Sequence, residues 1–341
     1  MMQKQTDTKS ILSVAMCTYN GESYLQEQLL SIAKQTSLPY ELVVCDDYSI
    51  DATLQILDEF QKAAPFSVRI YRNETNLGAT KNFEKAIALC SGDVIVLSDQ
   101  DDLWMPHKLE RLKQLLEEHL EAGYIFSDAL VTDEMLHPLG CTIWEQVSFT
   151  GRKRRLFEQG HQLEILLKRN VVTGATMAFR AKLRDWVLPI PDTCIHDEWI
   201  ALIGSAIGRK GIFIAEPLIY YRQHPKQVLG CPKLKAGLNE RLQRKPSTKR
   251  EKDSYKRTKY LQVINRLISL NIVNRDAQKL VNDRICHLEA RELLYKASLL
   301  KHVDIVLREL IAGRYHKFSK GWRSFMKDLF IPISGKGGKA L

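Results

Sequence analysis

The chain has 341 residues, 45% hydrophobic and 26% charged, a globular balance that excludes disordered and fibrous classes. Its net charge of +10 is uneven: residues 231–341 carry 26 Lys and Arg against 10 Asp and Glu, and the first 230 carry 24 against 30. No run reaches the roughly 18 apolar residues of a spanning helix, MMQKQTDTKS lacks the apolar core of a secretory leader, and the seven cysteines form no C-x-x-C, against a zinc knuckle or disulfide framework.

A chain kept in the cytosol is therefore expected, with residues 1–10 a flexible N-terminus. ILSVAMCTY, 11–19, reads as a short buried strand stopped by Asn20-Gly21. SYLQEQLLSIAKQ follows as a helix with Leu25, Leu29 and Ile32 on one face. ELVVCDD is a second apolar run closing in two acids. DATLQILDEFQKAA reads as helix, SVRIYRN as strand, TKNFEKAIALC as helix, and GDVIVLSDQDD as a third apolar run ending in acids. This alternation predicts an α/β fold with a mostly parallel central sheet, whose ligands bind at the carboxyl ends of strands.

The next stretch is less regular. YIFSDALVTDE and VVTGATMAFRA read as strands, PDTCIHDEWIALIGSAIG as a loop entering a helix, and GIFIAEPLIYYRQH as two short strands broken at Pro217. After Gly230 a basic, strand-poor connector leads to helices over 254–312, with Leu, Ile or Val every three to four positions.

Polar residues gather at the predicted strand ends. In SDQDD, Asp99 and Asp101 lie two apart and could splay around a divalent cation, since Mg²⁺ and Mn²⁺ favour hard oxygen ligands. Equally, aspartates end strands and cap helices, and Asp102 could support a helix starting at Trp104-Met105-Pro106. Asp46-Asp47 could accept from a base or a ribose, or be turn acids ahead of a helix capped by Ser49 or Asp51. NLGATKN puts Gly78 and Lys81 before a helix, suited to phosphate contact. HDEW, 196–199, offers His196, Asp197 and Glu198, or simply an acid-rich helix start. YYRQH ends a strand with Arg222 and His224, a ligand or a structural histidine.

Taken in order, CTYNG, CDDYSIDAT, NLGATKNFEKAIALCSGD and LSDQDDLW resemble the family 2 glycosyltransferases of GT-A fold, over roughly residues 11–230. SDQDDLWMPHKLE, SDALVTDE, TGATMAF and YYRQH are similar to the bacterial rhamnosyltransferase-like branch. The resemblance implies a GT-A nucleotide-sugar-binding domain over 11–230, followed by a basic, mainly helical region over 231–341. It implies an inverting transferase moving a sugar, best L-rhamnose from dTDP-L-rhamnose, to a glycan or polyprenyl-diphosphate-linked acceptor in cell-surface polysaccharide synthesis. A UDP-sugar donor is the alternative. It places Thr18, Tyr19 and Asn20 around the nucleotide base with Asp47 on the base edge, and Gly78 and Lys81 along the nucleoside and phosphates. Asp99 would hold ribose or metal-bound water, Asp101 would bind the divalent cation (Mg²⁺ or Mn²⁺), and His224 would reach the diphosphate or metal. Asp197 matches the catalytic base, and Gly174 and Ala175 the loop beside the donor sugar. Gln227 stands where related sequences often carry Asn.

Against rival classes, no G-x-G-x-x-G follows the first strand and no G-x-x-x-x-G-K-[ST] occurs. The basic tail leaves open a polyanion-binding protein, but no nucleic-acid module appears. FSKGWRSFMKDLFIPI, 318–333, has the spacing of an interfacial amphipathic helix and predicts peripheral attachment to an anionic inner membrane face. The same stripe could instead pack on the body.

Overall fold

The computed structural model describes residues 10–225, 227, 249–295 and 297–330. The flexible N-terminus expected for 1–10, the boundary at 230 and most of the basic connector lie essentially outside these residues, as do the last three residues of 318–333.

The strands are β1 (Leu12–Thr18), β2 (Glu41–Asp46), β3 (Ser67–Arg72), β4 (Val94–Ser98), β5 (Leu103–Trp104), β6 (Ala122–Thr132), β7 (Pro138–Thr142), β8 (Met177–Arg180) and β9 (Lys210–Arg222). The body's helices are α1 (Leu25–Ala33), α2 (Thr53–Ala63), α3 (Ala79–Leu89), α4 (Lys108–Glu118), α5 (Ile143–Gln146), α6 (Gly151–Glu158), α7 (Gln162–Lys168), α8 (Arg184–Val187) and α9 (His196–Ala206). After the connector come α10 (Lys249–Ser269), α11 (Arg275–Leu293), α12 (Leu299–Ile311), α13 (Arg314–Phe318) and α14 (Trp322–Leu329).

One sheet runs β3-β2-β1-β4-β8-β6-β9-β5, with β7 beside β6. β1 to β4 pair in parallel, β8 runs against them, and β6 and β9 return to the first direction, so most strands point one way. β1, β2 and β4 are apolar along nearly their whole length because helices cover both faces of such a sheet. Leu25, Leu29 and Ile32 of α1 are buried as their spacing predicts. The main core also takes in Tyr260, Val263 and Leu267 of α10 and Val281, Ile285 and Leu288 of α11, so the C-terminal helices share the body's interior.

Two local readings are corrected. Pro217 does not break the strand: β9 is one strand of 13 residues. Its pairing with β6 jumps from Ser127↔Ile214 to Asp128↔Pro217, so the bulge absorbs a residue that cannot donate to a regular ladder. Nor does a helix start at Trp104. Leu103–Trp104 pairs with β9, and α4 begins at Lys108. Asp102 therefore caps nothing; it is buried and accepts from the Arg222 amide at 3.2 Å.

Candidate active site

Three parallel strands end level. Thr18 pairs with Asp46 and Met16 with Ser98, so β1, β2 and β4 release Tyr19-Asn20, Asp47 and Asp99–Asp102 along one edge. Asp46 ties the first two loops together. It accepts from Thr18 Oγ1 at 2.9 Å, from the Ser49 amide at 2.9 Å and from the Ser49 hydroxyl at 2.5 Å. Ser49 Oγ accepts from the Asn20 amide at 2.9 Å, and Asn20 Oδ1 accepts from the Ile50 amide at 3.0 Å. Asn20 is left-handed (φ 46°), a conformation asparagine tolerates better than most residues. Tyr19 and Tyr48 leave their rings exposed at these loops, with Arg72 over Tyr48 at 5.3 Å.

Asp47 fixes the next loop. Its buried carboxylate accepts from Asn73 Nδ2 (2.8 Å), the Leu77 amide (2.7 Å) and the Gly78 amide (2.9 Å). Gly78 enters α3 at φ 80°, which favours glycine. Lys81, one turn on, faces the 188–192 segment: it donates to the Ile190 carbonyl at 2.7 Å and pairs with Glu84 at 3.0 Å and Asp192 at 3.4 Å.

The 99–102 turn is held from both sides. Gln100 accepts from the Tyr19 amide at 2.8 Å and donates to its carbonyl at 3.0 Å. A Cβ on Gly21 would lie 2.2 Å from Gln100 Oε1, so glycine makes room for this bracket. Arg222 donates to the Asp101 carbonyl at 2.9 Å and to Glu27 at 2.5 Å, its guanidinium 4.7 Å from the Tyr24 ring centre. His224 Nε2 meets Asp101 Oδ2 at 2.8 Å and its ring packs on Tyr24. His224 Nδ1 is buried without a partner among the described residues.

Opposite this turn lies the start of α9. Asp197 accepts from the Gly174 amide at 2.8 Å and from the Glu198 amide. Burial and the Glu198 charge push the Asp197 carboxyl up to about 7, against the hydrogen bonds and Lys259. Asp99 is also pushed up to about 7, by burial and then by Asp101 and Asp197. Burial lowers Lys108 to about 7, opposed by Asp102 and Asp99; its ammonium donates to the Ala175 carbonyl at 2.8 Å and lies 3.7 Å over the Trp104 ring. Asp99 therefore feels the charge of Asp197, about a hundred residues away in sequence, as well as that of its neighbour Asp101.

Of the expected residues, Asp99, Asp101, Asp197 and His224 form this acidic centre. Thr18, Tyr19 and Asn20 line the adjoining loops, while Asp47 and Gly78 pair with each other. Lys81 turns toward residues 188–192. Gln100, Lys108 and Lys259 were not singled out by sequence, because Gln and Lys on polar turns and basic helices look solvated. Among the described residues no three His, Cys, Asp or Glu converge as a complete metal-ligand set.

The family model described as "Glycosyl transferase family 2" matches residues 13–185. A dTDP-rhamnosyl transferase of Shigella flexneri, RfbG, is 40% identical over 231 residues, 63% of this chain and 74% of that protein. A Mycobacterium tuberculosis protein is 26% identical over 215 residues, so this chain spans only 59% of that relative's length. Residues 1–349 of Staphylococcus aureus TarS, solved with UDP-GlcNAc, share the fold at TM-score 0.57 and 16% identity, over 93% of this chain and 90% of that one. With about half of the chain matched by the family model and most of the Shigella relative aligned to it, the chain belongs to glycosyl transferase family 2.

Proposed function

We propose that the chain is an inverting glycosyltransferase that moves L-rhamnose from dTDP-L-rhamnose to a hydroxyl on a glycan or polyprenyl-diphosphate-linked acceptor. A UDP-sugar is the alternative donor. The observation that carries the reading is that Asp197, at the start of α9, is bonded to the Gly174 amide in a turn that packs on β4, the strand that ends in Asp99 and Asp101. The named activity of the Shigella relative supports the choice of donor.

In this reading Asp197 takes the acceptor's proton. Its carboxylate is held by the Gly174 and Glu198 amides, and a proton affinity near neutrality suits a general base. Displacement in one step inverts the anomeric centre and needs no second nucleophilic carboxylate. Tyr19 and Tyr48 offer exposed faces to the nucleotide base, and Lys108 fixes the loop at Ala175 beside the sugar. The donor types suit a hard divalent cation: Asp99 and Asp101 crowd like charges at the end of β4, and His224 Nε2 lies 2.8 Å from Asp101 Oδ2, where a cation would take the place of a shared proton. Asp101 and His224, beside Asp99, would hold Mg²⁺ or Mn²⁺, which when bound supplies charge neutralisation for the departing diphosphate.

Peripheral attachment to an anionic membrane at its cytoplasmic face belongs to the same reading. No described helix is long and apolar enough to cross a membrane. Within 318–330 the structure divides the apolar stripe. Phe318 and Phe325 are buried, and Trp322, Met326 and Phe330 are exposed. The neighbouring α12 exposes Leu299, Leu300, Val303, Leu307 and Ile311. Lys301, Arg308, Arg323 and Lys327 stand on the same helices, with Lys320 in the turn before α14, as an anionic leaflet would require.

Purified protein incubated with a panel of sugar nucleotides tests the proposal. Slow nucleotide release from dTDP-L-rhamnose, stopped by a chelator and restored by Mg²⁺ or Mn²⁺, is expected. Faster release from a UDP-sugar would move the assignment to the alternative donor, and failure to bind or cleave any sugar nucleotide would overturn the reading.

A further inference from the structure

The helix that carries Asp197 is tied to the basic C-terminal region by a buried ion pair. Lys259 of α10 meets Glu198 Oε1 at 2.5 Å, with Lys259 4% and Glu198 8% exposed. Successive side chains on a helix point about 100° apart, as the helical pitch requires. Asp197 accordingly turns to Gly174 and Glu198 to α10. Other contacts hold α10 in place. Tyr260 donates to the Leu167 carbonyl at 2.8 Å, and Arg266 donates to the Leu188 carbonyl at 2.8 Å and the Pro189 carbonyl at 2.5 Å. The Arg266 guanidinium also stands 5.8 Å from the centre of the Trp199 ring on α9.

We infer that Lys259 is a positioning residue of the active site: its ion pair draws Glu198 toward α10 and offsets part of its charge, leaving Asp197 as the proton acceptor. The inference rests on the role proposed for Asp197 and extends it to a residue outside the family-matched segment, 13–185. Two adjacent buried carboxylates compete for one proton unless a cation compensates one of them. Burial works against the Lys259 charge, and Tyr260 and Glu198 more than offset it, so the ammonium stays charged.

The other groups around the pair are few. Asp99, at the end of β4, is raised in part by the Asp197 charge. Tyr255 and Lys256 of α10, and Cys194 just before α9, feel the Glu198 charge. His196 is held neutral by burial. Only Lys259 makes an ion pair with Glu198 among the described residues.

The test reads Asp197 directly, by ¹³C-carboxyl NMR titration of the full chain without donor, with the resonance assigned by its loss in Asp197→Asn. The wild-type midpoint is expected near 7. Lys259→Met should raise it, and Glu198→Gln should lower it by more, about one unit, since Glu198 acts on Asp197 more strongly than Lys259 does. The double variant should fall between Glu198→Gln and wild type, and Lys259→Arg should keep the wild-type midpoint. The acid limb of kcat against pH should move in the same directions. A role confined to stability would lower Tm without opposite shifts. If Lys259→Met does not fold, the comparison of Glu198→Gln with the double variant, which buries no lone charge there, carries the same prediction. Midpoints that stay put, or move the same way in both single variants, overturn the inference. A wild type that turns over no donor sinks the proposed function while the titration still decides the pair.

Discussion

The carboxyl edge of the sheet and the C-terminal helices both bury charge, and they treat it differently. In the helices, Glu309 accepts from His287 Nδ1 at 2.7 Å and from Arg314 at 2.8 Å, and Arg314 also reaches Asp283 at 3.1 Å. Burial pushes the Glu309 carboxyl up, but these partners more than offset it and hold it below the usual range. Arg291 likewise donates to the buried Asp328 at 2.8 Å. At the sheet edge, Asp99 and Asp197 are pushed up to about 7 and Lys108 down to about 7. A chain able to pair charges in one region, yet crowding like charges in another, keeps the second arrangement at a cost in stability. Such crowding is expected where a ligand or a reaction supplies the missing counter-charge.

The largest effect should come from removing charge at the crowded edge. Asp197→Asn keeps the shape but cannot accept the proton, so kcat should fall by roughly two to four decades while donor binding persists. Steady-state transfer and calorimetric donor binding check this. An active Asp197→Asn together with a dead Glu198→Gln would move the base by one residue. Asp101→Asn removes one hard anionic ligand and should cost turnover by orders of magnitude with the fold retained. Full activity at ordinary Mg²⁺ or Mn²⁺ would remove Asp101 from the metal role.

In the paired region the same kind of change should reach stability instead. Glu309→Ala leaves His287 and Arg314 without their shared acceptor and should destabilise by about 3 kcal/mol, the usual cost of breaking a buried pair. Denaturant unfolding would read that loss. Nucleotide release from the donor, assayed below the lowered Tm, should stay near wild type, and a collapse in activity there would erase the contrast between the regions.

The pH dependence of stability sharpens the comparison further. His196 is 7% exposed, stacks on Phe83 at 4.0 Å, and is lowered by burial to about 3. The unfolded chain therefore takes up this proton first, so stability should fall as pH drops from about 6.5 toward 3. Asp197 has the opposite sign. Its folded affinity is raised, so its contribution is present below about 4 and lost as pH rises toward 7. Unfolding curves across this range should show a flatter acid decline in His196→Phe and a smaller loss toward neutrality in Asp197→Asn.

The smallest effect on activity is expected at the exposed stripe. Because Tyr315, Phe318 and Phe325 are buried, deleting 314–341 would cut into packed interior and cannot isolate a membrane function. Trp322→Ser with Met326→Ser and Phe330→Ser alters only exposed positions. Flotation with anionic liposomes at low salt should be lost, and soluble-donor activity kept within about twofold. Wild-type protein that fails to float would remove the membrane from the proposed function.

Much of the edge was legible because parallel strands buried on both faces read as apolar runs, and their polar ends stand out in SDQDD and CDD. The 143–168 helices were not assigned, as three short helices give little periodicity to detect. β5 is two residues long and exists through its pairing with β9, so Asp102, which local pattern allows as a helix cap, belongs to the buried turn instead.

Local patterning thus determined the α/β alternation, the strand ends that carry acids, and the helical character of the C-terminal region, because hydrophobic period and turn chemistry act over a few residues. Tertiary structure alone decided which charges meet. Asp99 comes under the charge of Asp197 because the end of β4 and the start of α9 face one sheet edge, and Glu198 is separated in role from Asp197 by Lys259, 61 residues further along. Charge interactions depend on distance and burial in space, and sequence separation carries no information about either.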